Sequence, residues 1–146
     1  MKIIFYSYSG VHSAVLGGTA YLGMVSAQKA ASLQFSEIPF FGCKENKSQL
    51  RYLGVDKKGN QIYSLGVQGE MDLIHKAINN FLEIVNIPAD DIMMINTYSY
   101  LSRLSKWGEW FARKGLLSIG NYLFCLGLKK DFPLLYKGVH LKLEHS

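Results

Sequence analysis

With 146 residues, 49% of them hydrophobic and 18% charged, the chain holds enough apolar material for one folded domain and too much for general disorder. Its net charge of +5 lies entirely in the C-terminal third: residues 1–102 carry eight Lys/Arg and eight Asp/Glu, residues 103–146 eight and three. Cys43 and Cys125 lie far apart with neither C-x-x-C nor zinc spacing, so buried free thiols in a reducing compartment are expected in preference to a disulfide framework.

Lys2 to Ser7 is apolar on both faces at Ile3, Ile4, Phe5 and Tyr6, as a central parallel strand is. No secretory signal is expected, since the strand follows a single lysine with no apolar segment or cleavage site before it. Ser9-Gly10-Val11-His12-Ser13 then reads as a tight turn, and the small-residue pattern from His12 to Lys29 predicts a helix with Ser13 or Ser9 as its N-cap. Residues 14–24 include three glycines and a threonine and are too short and weakly apolar for a membrane span. A cytoplasmic protein without a membrane segment is expected.

From Ala30 to Lys47 the periodicity fades into a loop in which Pro39-Phe40-Phe41 is an apolar anchor. Gln49–Val55 and Gln61–Val67 flank Asp56-Lys57-Lys58-Gly59-Asn60, which predicts a hairpin. Met71, Ile74, Ile78, Phe81, Leu82 and Val85 give a helix from Glu70 to Asn86, with His75 on its polar side. Ile92-Met93-Met94-Ile95 is a second buried parallel strand, ending at Asn96-Thr97-Tyr98-Ser99.

A helix from Tyr100 to Lys114 follows, with Leu101, Leu104, Trp107 and Phe111 as its inward stripe and Arg103, Lys106 and Arg113 outside. Gly115 stops it, Ile119 to Leu128 forms a short helix, and Asp131-Phe132-Pro133 starts a last one. The order predicts an α/β fold: a single three-layer, Rossmann-like domain over residues 1–146, with a mixed, partly parallel sheet, a hairpin and a helical C-terminal part.

In such sheets ligands bind beyond the carboxyl ends of the strands, where the first loop and Asn96 to Ser99 both fall. Gly10 lets an anion approach the backbone, Ser9, His12 and Ser13 can donate to it at a helix N-terminus, and Asn96, Thr97 and Tyr98 form a second wall. His12 is the candidate acid, base or transient acceptor. The loop is neither a Walker loop nor a dinucleotide fingerprint, no hydrolase elbow occurs, and no metal site or cofactor is implied. His75, His140, His145 and Asp90-Asp91 read as surface groups.

At Tyr8-Ser9-Gly10-Val11-His12-Ser13-Ala14-Val15, Tyr52-Leu53-Gly54-Val55-Asp56, Gly59-Asn60-x-x-Tyr63, Gly120 and Phe132-Pro133 the chain resembles a family of uncharacterised small proteins from spore-forming Gram-positive bacteria. The resemblance implies a bacterial cytosolic protein and brings no established activity. The first loop is also similar to the phosphate loop of phosphotransferase-system IIB proteins, a cysteine followed by x-x-Gly-x-[ST]-[ST]. Gly10, His12 and Ser13 match by position, and Ser7 stands where the cysteine would be, which weighs against a phosphocysteine step.

Two functions follow. One is binding of a phosphate-bearing small molecule at Ser7, Ser9, Gly10, His12 and Ser13, with phosphoryl transfer or hydrolysis through His12 and Ser7 if there is turnover. The other is a non-catalytic regulatory or partner-binding module, in sporulation for example, that uses the aromatic and basic C-terminal helices. Trp107, Trp110 and Phe111 between Lys106 and Arg113 carry no known nucleic-acid motif.

Overall fold

The computed structural model describes residues 1–26, 38–45 and 48–145. The predicted first helix beyond Ser26 and much of the loop after Ala30 lie outside these residues. Eight elements build the α/β fold: β1 Lys2–Ser7, α1 Ser13–Tyr21, β2 Arg51–Val55, β3 Gln61–Gly66, α2 Met71–Ile84, β4 Ile92–Asn96, α3 Arg103–Arg113 and α4 Leu117–Glu144. Short 3-10 turns at Ala89–Asp91 and Tyr98–Tyr100 bracket β4.

The sheet order is β2-β3-β1-β4, with β1 parallel to both β3 and β4 and with β2 antiparallel to β3. β1 is central because both of its faces are apolar, and its neighbours diverge from it to left and right. Its carboxyl end is therefore the switch point of the sheet. The hairpin turn is held by Asp56, whose carboxylate accepts from the Lys58 and Asn60 N–H groups at 2.8 Å and from the Tyr21 hydroxyl at 2.6 Å.

Phe5 faces α1, where Gly17 and Gly18 let the helix backbone settle on its ring. Tyr6 points the other way, and its hydroxyl lies 3.1 Å from His75 Nδ1 on α2. The helices thus cover opposite faces, and His75, read from sequence as a surface group, is half-buried because α2 uses it to reach the sheet.

Two expectations about the C-terminal third are corrected. α4 is one continuous helix of 28 residues with Pro133 inside it, not two helices with a proline-led start. Phe124, Leu128, Phe132, Leu135, Val139 and Leu143 line one buried stripe along it, and this burial outweighs the hydrogen bond that Pro133 removes. α3 is turned around: Leu104, Trp107 and Trp110 are exposed, while Ser105, Gly108, Glu109 and Ala112 are buried.

The cause is its close fit to α4. A Cβ on Gly108 would stand 2.5 Å from the Phe124 backbone nitrogen, and one on Gly120 or Gly127 would collide with Ala112 or Ser105. Only small residues permit this approach, so large aromatics must face away. Gly120→Val is expected to cost about 1–3 kcal/mol through overpacking, against under about 1 kcal/mol for Ser118→Val on the exposed side of the same helix. Urea midpoints of the two variants measure the difference.

Candidate functional site

The turn after β1 presents a ring of donors at the start of α1, the arrangement that receives anions. In this structure the anion is supplied by the protein itself. Glu109, fully buried on α3, accepts from the Ser7 hydroxyl at 2.5 Å and the Ser9 N–H at 3.3 Å through Oε2. Its Oε1 accepts from the Ser13 N–H at 2.9 Å and the Ser13 hydroxyl at 2.6 Å. No side chain of the turn caps α1, as Ser13 or Ser9 was expected to do; the carboxylate of α3 fills that place.

A second carboxylate completes the turn. Both oxygens of Glu45 lie within reach of the Gly10 N–H, at 3.2 and 3.1 Å, and Arg51 donates to Oε2 at 2.9 Å. Arg113, at the end of α3, pairs with the other oxygen. Gly10 has to be glycine, since a Cβ there would stand 2.5 Å from the Gly66 backbone nitrogen.

His12 is wholly buried beside this cluster, with Phe41 and Phe124 at ring-centroid distances of 5.6 and 5.0 Å. Its Nε2 lies 2.6 Å from Asn121 Oδ1, while Asn121 donates to the Gly42 carbonyl at 3.0 Å. That orientation makes Nε2 the protonated nitrogen and leaves Nδ1, 2.8 Å from the Ser9 hydroxyl, as an acceptor. Burial pushes the imidazole down to about 4, so the ring is neutral at pH 7.

Burial acts on Glu109 in the opposite sense and raises its carboxyl to about 6, against the pull of Ser13, Ser7 and the loop N–H groups. The donors lower the cost of the charge without cancelling it.

Of the predicted residues, Ser7, Ser9, Gly10, His12 and Ser13 do come together. Thr97 joins them, with its hydroxyl 3.2 Å from that of Ser13 and donating to the Tyr6 carbonyl at 3.0 Å. Asn96 pairs in register with Tyr6 and so belongs to the α2 face, where its Oδ1 is buried without a partner. Tyr98 sits farther out, 4.8 Å from the Lys106 ammonium, and burial together with the Glu109 charge raises its phenol.

The sequence reading missed Glu109, Glu45 and Asn121. A signal existed for the first: Ser105, Glu109 and Arg113 recur every four residues and form one polar inward row, with Ser105 and Ser102 bonded to the buried Asp131 of α4. Among the described residues, no three His, Cys, Asp or Glu side chains gather as metal ligands, and no helix is long and apolar enough to cross a membrane.

The outer face of α3 carries a different feature. Tyr98, Lys106, Trp107, Trp110 and Phe111 line an open groove of about 430 Å³. Trp107 is 62% exposed and Trp110 46%, and Lys114 reaches within 5.9 Å of the Trp110 ring.

Residues 2–142 match the model of a family described as protein of unknown function, DUF3189. The chain belongs to this family. Comparison with curated proteins and with solved structures finds no match. In this member of DUF3189 the first loop therefore has to be read from its own geometry, and that geometry ties stability to pH.

The folded pKa of Glu109 lies above its ordinary 4.5, so its contribution to stability is complete below 4.5 and is lost as pH rises through about 6, a loss of about 2 kcal/mol. That of His12 lies below 6.5, so its contribution is complete above 6.5 and is lost as pH falls through about 4, a loss of about 3 kcal/mol. Between pH 4.5 and 6 the two slopes oppose each other, so Glu109→Gln is expected to steepen the rise of stability with pH that His12 causes, and His12→Asn to leave the fall with pH that Glu109 causes. Chemical denaturation from pH 4 to 8 checks both slopes.

Proposed function

We propose that this chain is a partner-binding domain whose docking surface is the outer face of α3. The observation that carries the reading is the inverted helix: α3 buries Ser105, Glu109 and Arg113 in polar contacts and leaves Leu104, Trp107 and Trp110 to solvent. Exposed aromatics around a groove are the side chains that anchor protein interfaces. Glu109 is the sole acid in α3 and is buried, so Arg103, Lys106 and Lys114 set the charge of this face. A partner that is acidic, with an apolar anchor side chain, fits it.

Trp107 and Trp110 are the two tryptophans of the chain, so tryptophan emission, excited selectively over the nine tyrosines, reports this face. Titration with a synthetic peptide of glutamates around one phenylalanine is expected to shift and quench the emission, and Trp107→Ala to weaken binding about tenfold. Unchanged emission at millimolar peptide would count against the reading.

A second reading is supported by the donors around Glu109. Four hydrogen bonds on one carboxylate are what a phosphate oxygen would also receive, so the loop would bind a phosphate-bearing ligand by exchange with Glu109. Ser7 and His12 would act on that ligand only after such an exchange, because both are fully buried. Arg51 and Arg113, the arginines that the described residues bring beside this turn, are both held by Glu45 and would have to leave it to support a dianion. On this reading inorganic phosphate raises the Tm of the unaltered chain and raises that of Glu109→Ala further, and no shift for the unaltered chain counts against it.

A further inference from the structure

Burial sharpens the charge asymmetry of the sequence. From residue 103 onward Glu109 and Asp131 are buried and Arg113 is consumed by Glu45, so the surface keeps seven bases, Arg103, Lys106, Lys114, Lys129, Lys130, Lys137 and Lys142, against Glu144. The segment from 70 to 91 is the reverse. Glu70, Asp72, Glu83, Asp90 and Asp91 are all exposed, with Lys76 as the opposing base.

This acidic segment also has an exposed apolar face that no described residue covers. Leu73 and Ile84 of α2 are 64% and 77% exposed and lie together on the side of the helix turned away from Met71, His75 and Leu82, with Phe81, 60% exposed, on its flank. α2 meets the sheet through Tyr6, while α3 packs on α4 and is bonded through Glu109 to Ser13 of α1, so the two helices belong to opposite faces of the sheet.

We propose that the partner of the α3 face is a second copy of this chain, docked head to tail through its α2 face. The proposal rests on the docking role of α3 argued above and names the occupant of its groove. Ile84 of α2, with Leu73 beside it, supplies the apolar anchor, and Asp72 and Glu83 along its edge meet Lys106 and Lys114. A two-fold pairing of either face with itself sets acid against acid or base against base, whereas the head-to-tail contact sets unlike charges together. Such a contact leaves one free face at each end, so it extends into a chain or closes as a ring.

The test uses the whole chain and two surface substitutions, Ile84→Lys on the α2 face and Trp110→Glu on the α3 face. Both sites are exposed, and circular dichroism confirms that each variant is folded. Sedimentation velocity of the unaltered chain is expected to show association that grows with concentration and weakens with salt. Each variant alone should associate at least about tenfold more weakly, because every copy then lacks one half of the contact. Mixed together, they should form a one-to-one complex of twice 16.5 kDa and nothing larger, since each supplies the face the other lacks.

Truncations Ile84→Ala and Trp107→Ala repeat the experiment without introducing charge. Association that survives both charged variants, or that the mixture fails to restore, overturns the head-to-tail contact. A chain that stays monomeric at millimolar concentration also overturns it. In that case the glutamate–phenylalanine peptide separates the two ideas: if it still shifts the tryptophan emission, the docking role of α3 stands with an external acidic partner, and if it does not, both fall.

Discussion

A carboxylate in a protein interior survives only where donors replace the water it has lost, and Glu109 finds four of them on the turn between β1 and α1. The bond set joins parts of the chain about a hundred residues apart. It satisfies N–H groups that α1 leaves open at its first turn, and it fixes α3 in rotation as well as in position. Once Glu109 points inward, Trp107 and Trp110 have to point outward. The polar cluster and the aromatic groove are thus two consequences of one helix orientation.

Much of the fold was legible in the sequence. β1 and β4 were visible as short apolar runs, the hairpin as two alternating arms around Asp56 to Asn60, and α2 as a stripe of period 3.6. Each of these signals is local, and burial of an apolar face decides the outcome. The tertiary arrangement reversed the facing of α3, joined the two helices expected in α4, brought His75 of α2 toward the sheet and left Phe81 of its expected inward stripe exposed. In α3 the rule that large apolar residues face inward gave way to a close backbone approach: Gly108 and Ala112 meet Gly120 and Phe124, and no aromatic fits between them. In α4 a continuous buried stripe from Phe124 to Leu143 carried the helix through Pro133.

The candidate site was half legible for a related reason. A turn with Ser9, Gly10, His12 and Ser13 at the end of a central strand announces donors, and donors of this kind do receive an anion here. What the turn cannot announce is which anion. Glu45 and Glu109 are isolated acids in sequence, ordinary in composition, and only the fold brings them to Gly10 and Ser13. Thr97 was found and Asn96 misplaced because successive strand residues point to opposite faces, so a wall read as three consecutive residues had to be divided between them.

The seam between α3 and α4 has a mechanical consequence. Where two helices touch through backbone and glycine, no side chain can change rotamer to absorb a displacement, and sliding one past the other meets hard contacts at Gly108, Gly120 and Gly127. The pair behaves as a single stiff lever, with Ser102 and Ser105 pinned to Asp131 near one end and Arg113 to Glu45 near the other. Any force that the outer face of α3 receives is carried to α4 and, through Glu109, to the turn beneath it.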